Sequence, residues 1–242
     1  MATSTDPRKS APSSGMTVLG IDEAGRGPAI GPLVVAGVLI DASAGVQLKD
    51  LGVRDSKDLS SERRRAMVEG IREIAQESRI IAFAPVQLND NLNAVELSAI
   101  VRLVDELAPD TLYLDAPVGP RAIPAFAGML RRSCRSSGLT LVAENKADAR
   151  YPVVAAASIL AKVYRDEAID RLHGVYGDFG SGYPADPKTQ RFLSDWYDAH
   201  RTFPGCVRTR WRTVQRIIRD RSSERLIEAS PRTTEQSDSA ES

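Results

Sequence analysis

Two apolar segments rich in Val, Ile and Leu, Met16–Ile21 and Leu33–Ile40, are separated by a short stretch crowded with glycine and proline: DEAGRGPAIGP, residues 22–32. Segments of this kind read as strands, and a connection this short lets them pair with each other. The chain is thereby committed early to a sheet. The first strand delivers two adjacent carboxylates, Asp22 and Glu23, and then a cation between two glycines, Gly25-Arg26-Gly27.

The rest of the chain alternates. Arg79–Val86 reads as a third strand, Thr111–Leu114 as a fourth ending at Asp115, and Leu139–Ala143 as a fifth. Between them lie segments with helical spacing. Ser60 is a fitting N-cap for the helix carrying Met67, Ile71 and Ile74. Residues 94–107 place Leu97, Ile100, Val101 and Val104 on one face, and residues 120–133 form another helical segment. The longest helix is expected over Pro152–Leu172, with Pro152 in its first turn. Val153, Ala156, Ala157, Leu160 and Tyr164 form its apolar stripe, and Ser158, Lys162 and Arg165 a polar one. Helices over residues 187–200 and 210–219 follow. Three strands and then strands alternating with helices predict an α/β domain on a mixed sheet, antiparallel at one side and parallel at the other.

Composition sets the outer limits. The 242 residues are 42% hydrophobic, enough for one domain, and Lys+Arg equals Asp+Glu at 32 each. The polar segment 1–15 lacks the apolar core of a secretory signal, and residues 222–242 are polar, acidic and without an aromatic side chain. Both are expected to be disordered, which confines the domain to residues 16–221, its C-terminal helices falling at about 186–221. No apolar run approaches the ~20 residues of a membrane span. Cys134 and Cys206 form no CxxC pair, so they read as reduced thiols of a cytoplasmic protein.

Asp22 and Glu23, Asp115 and Asp148 all lie at or just after strand ends. If the strands are neighbours, the four acids converge, and carboxylates that close repel unless a cation neutralises them. Without a Cys or His cluster, the donor set suits Mg²⁺ or Mn²⁺. Any one of these acids alone would be read as a turn or helix cap. Gly25-Arg26-Gly27 allows close backbone approach to an anion or a sugar hydroxyl; by itself it is equally an ordinary glycine turn.

The motifs taken together are specific. GIDEAGRGPAIGPLVVAGV at residues 20–38 resembles the opening signature of type 2 ribonuclease H, the ribonuclease HII family. The likeness continues through DSKDLS at 55–60, YLDAP at 113–117, ENKADARYPVVAAASILAKVYRD at 144–166 and YGDFGSGYPADPKT at 176–189. With RTRWRTV at 208–214, it leans toward the archaeal branch. The resemblance implies a ribonuclease H-like fold with a C-terminal helical extension. It implies hydrolysis of the RNA strand of RNA/DNA hybrids, and cleavage at single ribonucleotides in duplex DNA, by a two-metal-ion route leaving 5′-phosphate and 3′-hydroxyl ends. Asp22, Glu23, Asp115 and Asp148 become the metal-binding catalytic acids. Gly25, Arg26 and Gly27, working with Tyr183, become the elements that grip the 2′-hydroxyl side of the junction.

Lys57, Lys146 and Lys162 lie within motif blocks and are candidate phosphate contacts, or else structural ion pairs. Arg208, Arg210 and Arg212 are further candidates for phosphate contact, unless they belong to a solvated face. Trp196, Trp211, Tyr197 and Phe192 are better explained by helix packing than by base stacking. Many archaeal relatives end in an aromatic motif that docks on a sliding clamp. The tail here has no aromatic residue, which argues against that partner. A monomer is expected. Two rival readings remain: a DNA nuclease or recombinase of the wider ribonuclease H-like superfamily, and a noncatalytic hybrid-binding module. The 2′-hydroxyl-reading motif argues against the first, and four intact acids against the second.

Overall fold

The computed structural model describes residues 15–53, 59–88 and 91–228. Five strands, β1 (Thr17–Ala24), β2 (Leu33–Asp41), β3 (Glu77–Phe83), β4 (Thr111–Asp115) and β5 (Thr140–Glu144), form one sheet in the order β3-β2-β1-β4-β5. The first three pair antiparallel, while β4 and β5 run parallel to β1. This is the mixed sheet expected from the sequence.

Helices α1 (Gly45–Asp50), α2 (Ser61–Ile74) and α5 (Pro152–Tyr176) cover one face of the sheet, and α3 (Leu92–Leu107) and α4 (Ile123–Ser133) the other. The alternation of β1 separates two cores. Val18 and Ala24 face α5, whereas Leu19 and Ile21 face α3 and α4. Ser60 caps α2, its Oγ accepting from the Arg63 amide at 3.1 Å. Helix α1 was not foreseen, because its six residues are too few to show a helical period.

α5 departs from the two-stripe expectation. Every residue from Val153 to Ala161 is buried, Ser158 included, and so is Arg165, while Tyr164 is exposed. The helix is the central pillar of its face, and its polar side chains point into a cleft rather than to open solvent. Packing this close depends on Gly20. A Cβ there would lie 2.3 Å from the Val153 carbonyl oxygen, so the start of α5 rests directly on the β1 backbone.

A third core joins α6 (Pro187–His200) and α7 (Arg212–Glu228) to the glycine-rich connection, with Ala29, Ile30, Phe179, Leu193, Val207 and Val214 at its centre. The boundary expected at Arg221 falls inside α7. Ser222 and Ser223 bond back to the carbonyls of Ile218 and Arg219, within the helix that runs to Glu228. No described helix is long and apolar enough to cross a membrane. Cys134 and Cys206 are both free thiols.

Candidate active site

β1 and β4 are parallel neighbours, paired up to Ile21 with Leu114, so Asp22 and Asp115 follow side by side at the same level. Both lie on the α5 face. Asp148 arrives from the 3₁₀ turn Ala147–Ala149 between β5 and α5. Carboxylate oxygens of Asp22, Asp115 and Asp148 lie within 4.8 Å of one another. The turn is set by Lys146, whose left-handed backbone (φ 60°) brings its amide to Asp115 Oδ1 at 2.8 Å. The Asn145 side chain ties the same turn to the carbonyls of Ala116 and Val118, at 3.0 and 2.9 Å.

Glu23, the next residue of β1, leaves the opposite face of the strand and falls outside this triad. It still borders the cleft and feels the charges of Asp22, Asp115 and Glu96. Burial, reinforced by those acids, holds its carboxyl well above the usual range. Burial also pushes Asp22 up to about 7, against a hydrogen bond from Ser158 and with help from Asp115 and Asp148. Three clustered oxygens with no nitrogen or sulfur donor fit a hard divalent cation.

The cleft holding the triad has a volume of about 780 Å³. Gly25, Arg26 and Gly27 form one wall. Gly25 needs its glycine: φ is 94°, and a Cβ would sit 2.5 Å from the Pro32 carbonyl. The Tyr183 ring, half exposed, lies over Gly27, whose absent Cβ would meet Cε1 at 3.4 Å. Gly182 places the tyrosine, its carbonyl accepting from the Ala29 and Ile30 amides at 2.8 and 3.2 Å. The Gly182 amide donates to Thr189 Oγ1 at 3.0 Å. Asp186, held near 2 by hydrogen bonds from Ser181, fastens the same loop.

The cations divide. Lys162 lines the cleft, with Nζ 3.2 Å from Ser158 Oγ. Lys146 is exposed and acts on the triad through its backbone; Lys57 lies outside the described residues. The Arg26 side chain turns away from the triad to pair with Glu96 and, at 3.0 Å, with Asn93 Oδ1 of α3. Burial pushes Glu96 up to about 7 despite this partner. Arg210 and Arg212 are exposed, as a phosphate contact requires.

Arg208 is not exposed. It is 1% accessible and donates to the carbonyls of Gly25, Arg26 and Gly31, so it cannot meet phosphate. Trp211 likewise does more than pack, since its Nε1 donates to the Gly27 carbonyl at 3.2 Å. Arg165 completes the cleft beneath Tyr183, 5.5 Å from the ring centroid, with Nε and Nη2 unpaired.

Sequence reasoning missed Glu96 and Ser158 as parts of the site, and it gave Arg208 a phosphate contact where the structure puts it behind the glycine-rich wall. For Glu96 a signal existed: residues 96, 100 and 103 share one helical face, so an acid sits on a stripe that must be buried.

Comparison with known proteins agrees with this geometry. Residues 19–214 match the family described as Ribonuclease HII. The Pyrococcus furiosus ribonuclease HII is 44% identical over 207 residues, 84% of this chain and 91% of that protein. The crystal structure of the Pyrococcus horikoshii ribonuclease H2 superposes with a TM-score of 0.78 at 37% identity, covering 85% of this chain and 98% of that one. The Archaeoglobus fulgidus ribonuclease HII, solved as a complex with PCNA, gives 0.72 at 42% identity, covering 81% and 96%. With the acids at the strand ends, the glycine-rich wall beside them and these relatives over most of the chain, the protein belongs to the ribonuclease HII family and is a type 2 ribonuclease H, an enzyme that cleaves the RNA of RNA/DNA hybrids.

Proposed function

We propose that this enzyme also cuts at single ribonucleotides embedded in duplex DNA, and that it leaves 5′-phosphate and 3′-hydroxyl ends. The observation carrying this reading is the adjacency, in one cleft, of the Asp22–Asp115–Asp148 triad and the Gly25–Gly27 wall under Tyr183. Charge for phosphodiester hydrolysis and a surface fitted to a ribose stand side by side.

Asp22, Asp115 and Asp148, with Glu23 from the other face of β1, would hold Mg²⁺ or Mn²⁺. Bound there, such ions polarise the phosphodiester and lower the pKa of the attacking water. The chain's own groups do the rest. Ser158 fixes Asp22, and the Lys146 amide fixes Asp115, so the carboxylates are oriented before substrate arrives. The amides of Arg26 and Gly27 and the Tyr183 hydroxyl meet the 2′-hydroxyl, which distinguishes RNA from DNA in the minor groove. The Tyr183 ring packs on the neighbouring sugar. Lys162 and Arg165, which line the cleft, supply phosphate contacts together with Lys57 and Lys146. We place the protein in the cytoplasm as a monomer, consistent with two free thiols. The Archaeoglobus fulgidus relative was solved in complex with PCNA, and a sliding clamp is a further candidate partner for this chain.

Tyr183→Phe tests the ribose reading. The variant should fold normally, because only a hydroxyl at a half-exposed position is lost. Its kcat/KM should fall about 10-fold or more at a single ribonucleotide, and less on a long hybrid where neighbouring contacts compensate. Equal losses on the two substrates would return Tyr183 to a packing role. A wild type that ignores the single-ribonucleotide duplex, with and without Mn²⁺, would remove the proposal.

A further inference from the structure

The glycine-rich wall is braced from behind by the C-terminal part of the chain. Arg208 Nη2 donates to the Gly25 carbonyl at 2.6 Å, Nη1 to Arg26 at 3.2 Å and Nε to Gly31 at 3.0 Å. Trp211 takes the Gly27 carbonyl at 3.2 Å and lies under the guanidinium, 4.8 Å from ring centroid to Cζ. All three carbonyls of Gly25-Arg26-Gly27 are thus held on the buried side. The segment is stitched in further by the Arg208 amide on the Ala29 carbonyl, at 2.8 Å, and by the bridge from Ile30 to Val207.

A buried guanidinium is costly. Its three acceptors here are neutral carbonyls, and burial together with nearby Arg165 pulls its pKa down to about 9. The geometry shows what it achieves. In a trans peptide the carbonyl of one residue and the amide of the next point in opposite directions. Fixing the carbonyls of Gly25 and Arg26 toward Arg208 therefore turns the amides of Arg26 and Gly27 away from it, toward the cleft. Only the five-donor fork of arginine spans three carbonyls in this way; a lysine ammonium reaches them as a point charge.

We infer that Arg208, with Trp211, is a positioning residue for ribose selection: it aims the Arg26 and Gly27 amides at the 2′-hydroxyl without touching substrate. The inference rests on the proposal that this wall reads the 2′-hydroxyl. The C-terminal helical part is then a structural arm of the specificity site.

The test is equilibrium binding, which needs no turnover. In an Asp22→Asn background, affinity is measured for a duplex with one ribonucleotide and for the all-DNA duplex of the same sequence. Their ratio is the discrimination. Arg208→Lys keeps the charge and loses the fork; discrimination should fall about 10-fold or more, as expected when several hydrogen bonds to one loop are lost. Trp211→Phe keeps an aromatic ring under Arg208 and removes one N–H; discrimination should fall about 3- to 10-fold. That variant removes three heavy atoms, the N–H among them, at a partly exposed side chain, so the inference remains testable if Arg208→Lys fails to fold. Affinity for all-DNA duplex should barely change in either. An unchanged ratio in a folded Trp211→Phe protein, or equal weakening on both duplexes, overturns the inference. Tyr183→Phe in the same series separates the two ideas. If it lowers the ratio while Trp211→Phe and Arg208→Lys do not, the wall reads ribose without the brace. If the Asp22→Asn protein itself shows no preference, the ribose reading falls and this inference with it.

Discussion

Asp22→Asn is expected to lower cleavage of an RNA/DNA hybrid by at least about 10³-fold while making the metal-free protein more stable at neutral pH. The two effects share one cause. Asp22 is buried beside the carboxylates of Asp115 and Asp148, and burial raises its pKa to about 7. A carboxyl whose folded pKa exceeds its unfolded value weakens the fold when it ionises. Below about pH 4 it is protonated in both states and costs nothing. Between about 4 and 7 the unfolded chain ionises first, so stability falls as pH rises; above 7 the penalty is constant. Glu23 is shifted in the same direction and adds to the slope. Asparagine keeps the shape, including the acceptor for the Ser158 hydrogen bond, and removes the charge. Thermal denaturation in chelator should therefore show a gain on the order of 1–3 kcal/mol at pH 7.5 that vanishes at pH 4. Added Mg²⁺ should stabilise the wild type and have a smaller effect on the variant. A variant that keeps substantial activity, or loses stability at neutral pH, would mean that Asp22 serves the fold rather than cation binding.

How far the sequence disclosed this molecule depends on what kind of contact is asked about. The sheet was legible because β1 and β2 are long runs of Val, Ile and Leu broken by glycine and proline, and periodicity reports burial directly. The convergence of Asp22, Asp115 and Asp148 was legible for the same reason: each follows a strand, and neighbouring strands align their ends. Glu23 was harder. Adjacency in sequence suggested one cluster, whereas strand alternation sends its side chain to the opposite face.

Arg208 was misread because composition carries no depth. Arginines crowd residues 201–221, and nothing in the string distinguishes the one folded under a loop 183 residues away from its exposed neighbours Arg210 and Arg212. The same blindness hid the pairing of Arg26 with Glu96. A side chain flanked by glycines beside acids suggests a ligand contact, yet its partner lies on α3, seventy positions on. Long-range polar contacts of this kind leave no local period to read.

The largest expected effect on folding belongs to a residue with no chemistry. Gly20→Ala should destabilise the protein by at least about 3 kcal/mol and lower Tm by about 6 °C or more, if the variant folds at all. The added Cβ would lie 2.3 Å from the Val153 carbonyl oxygen, 2.4 Å from its carbon and 2.7 Å from the Val154 nitrogen. All three are backbone atoms, so no rotamer change relieves the clash. β1 must part from the start of α5, and that seam runs through a buried core cluster that includes Val18, Ala24, Val153, Ala156 and Ala157. Dense interiors transmit such a shift. Because Asp22 is two residues further along β1 and Ser158 one and a half turns along α5, their hydrogen bond would be disturbed as well, and activity should fall at temperatures where the protein is still folded. Gly45→Ala is the control. It lies in α1 with φ −58°, and a Cβ there meets nothing within 4 Å, so it should be neutral or stabilise by up to about 1 kcal/mol. Melting curves for the two variants, with hybrid cleavage at 25 °C, decide the matter. If Gly20→Ala melts within about 2 °C of wild type, β1 and α5 part without cost, and Asp22 is not held by the packing of α5 on the sheet.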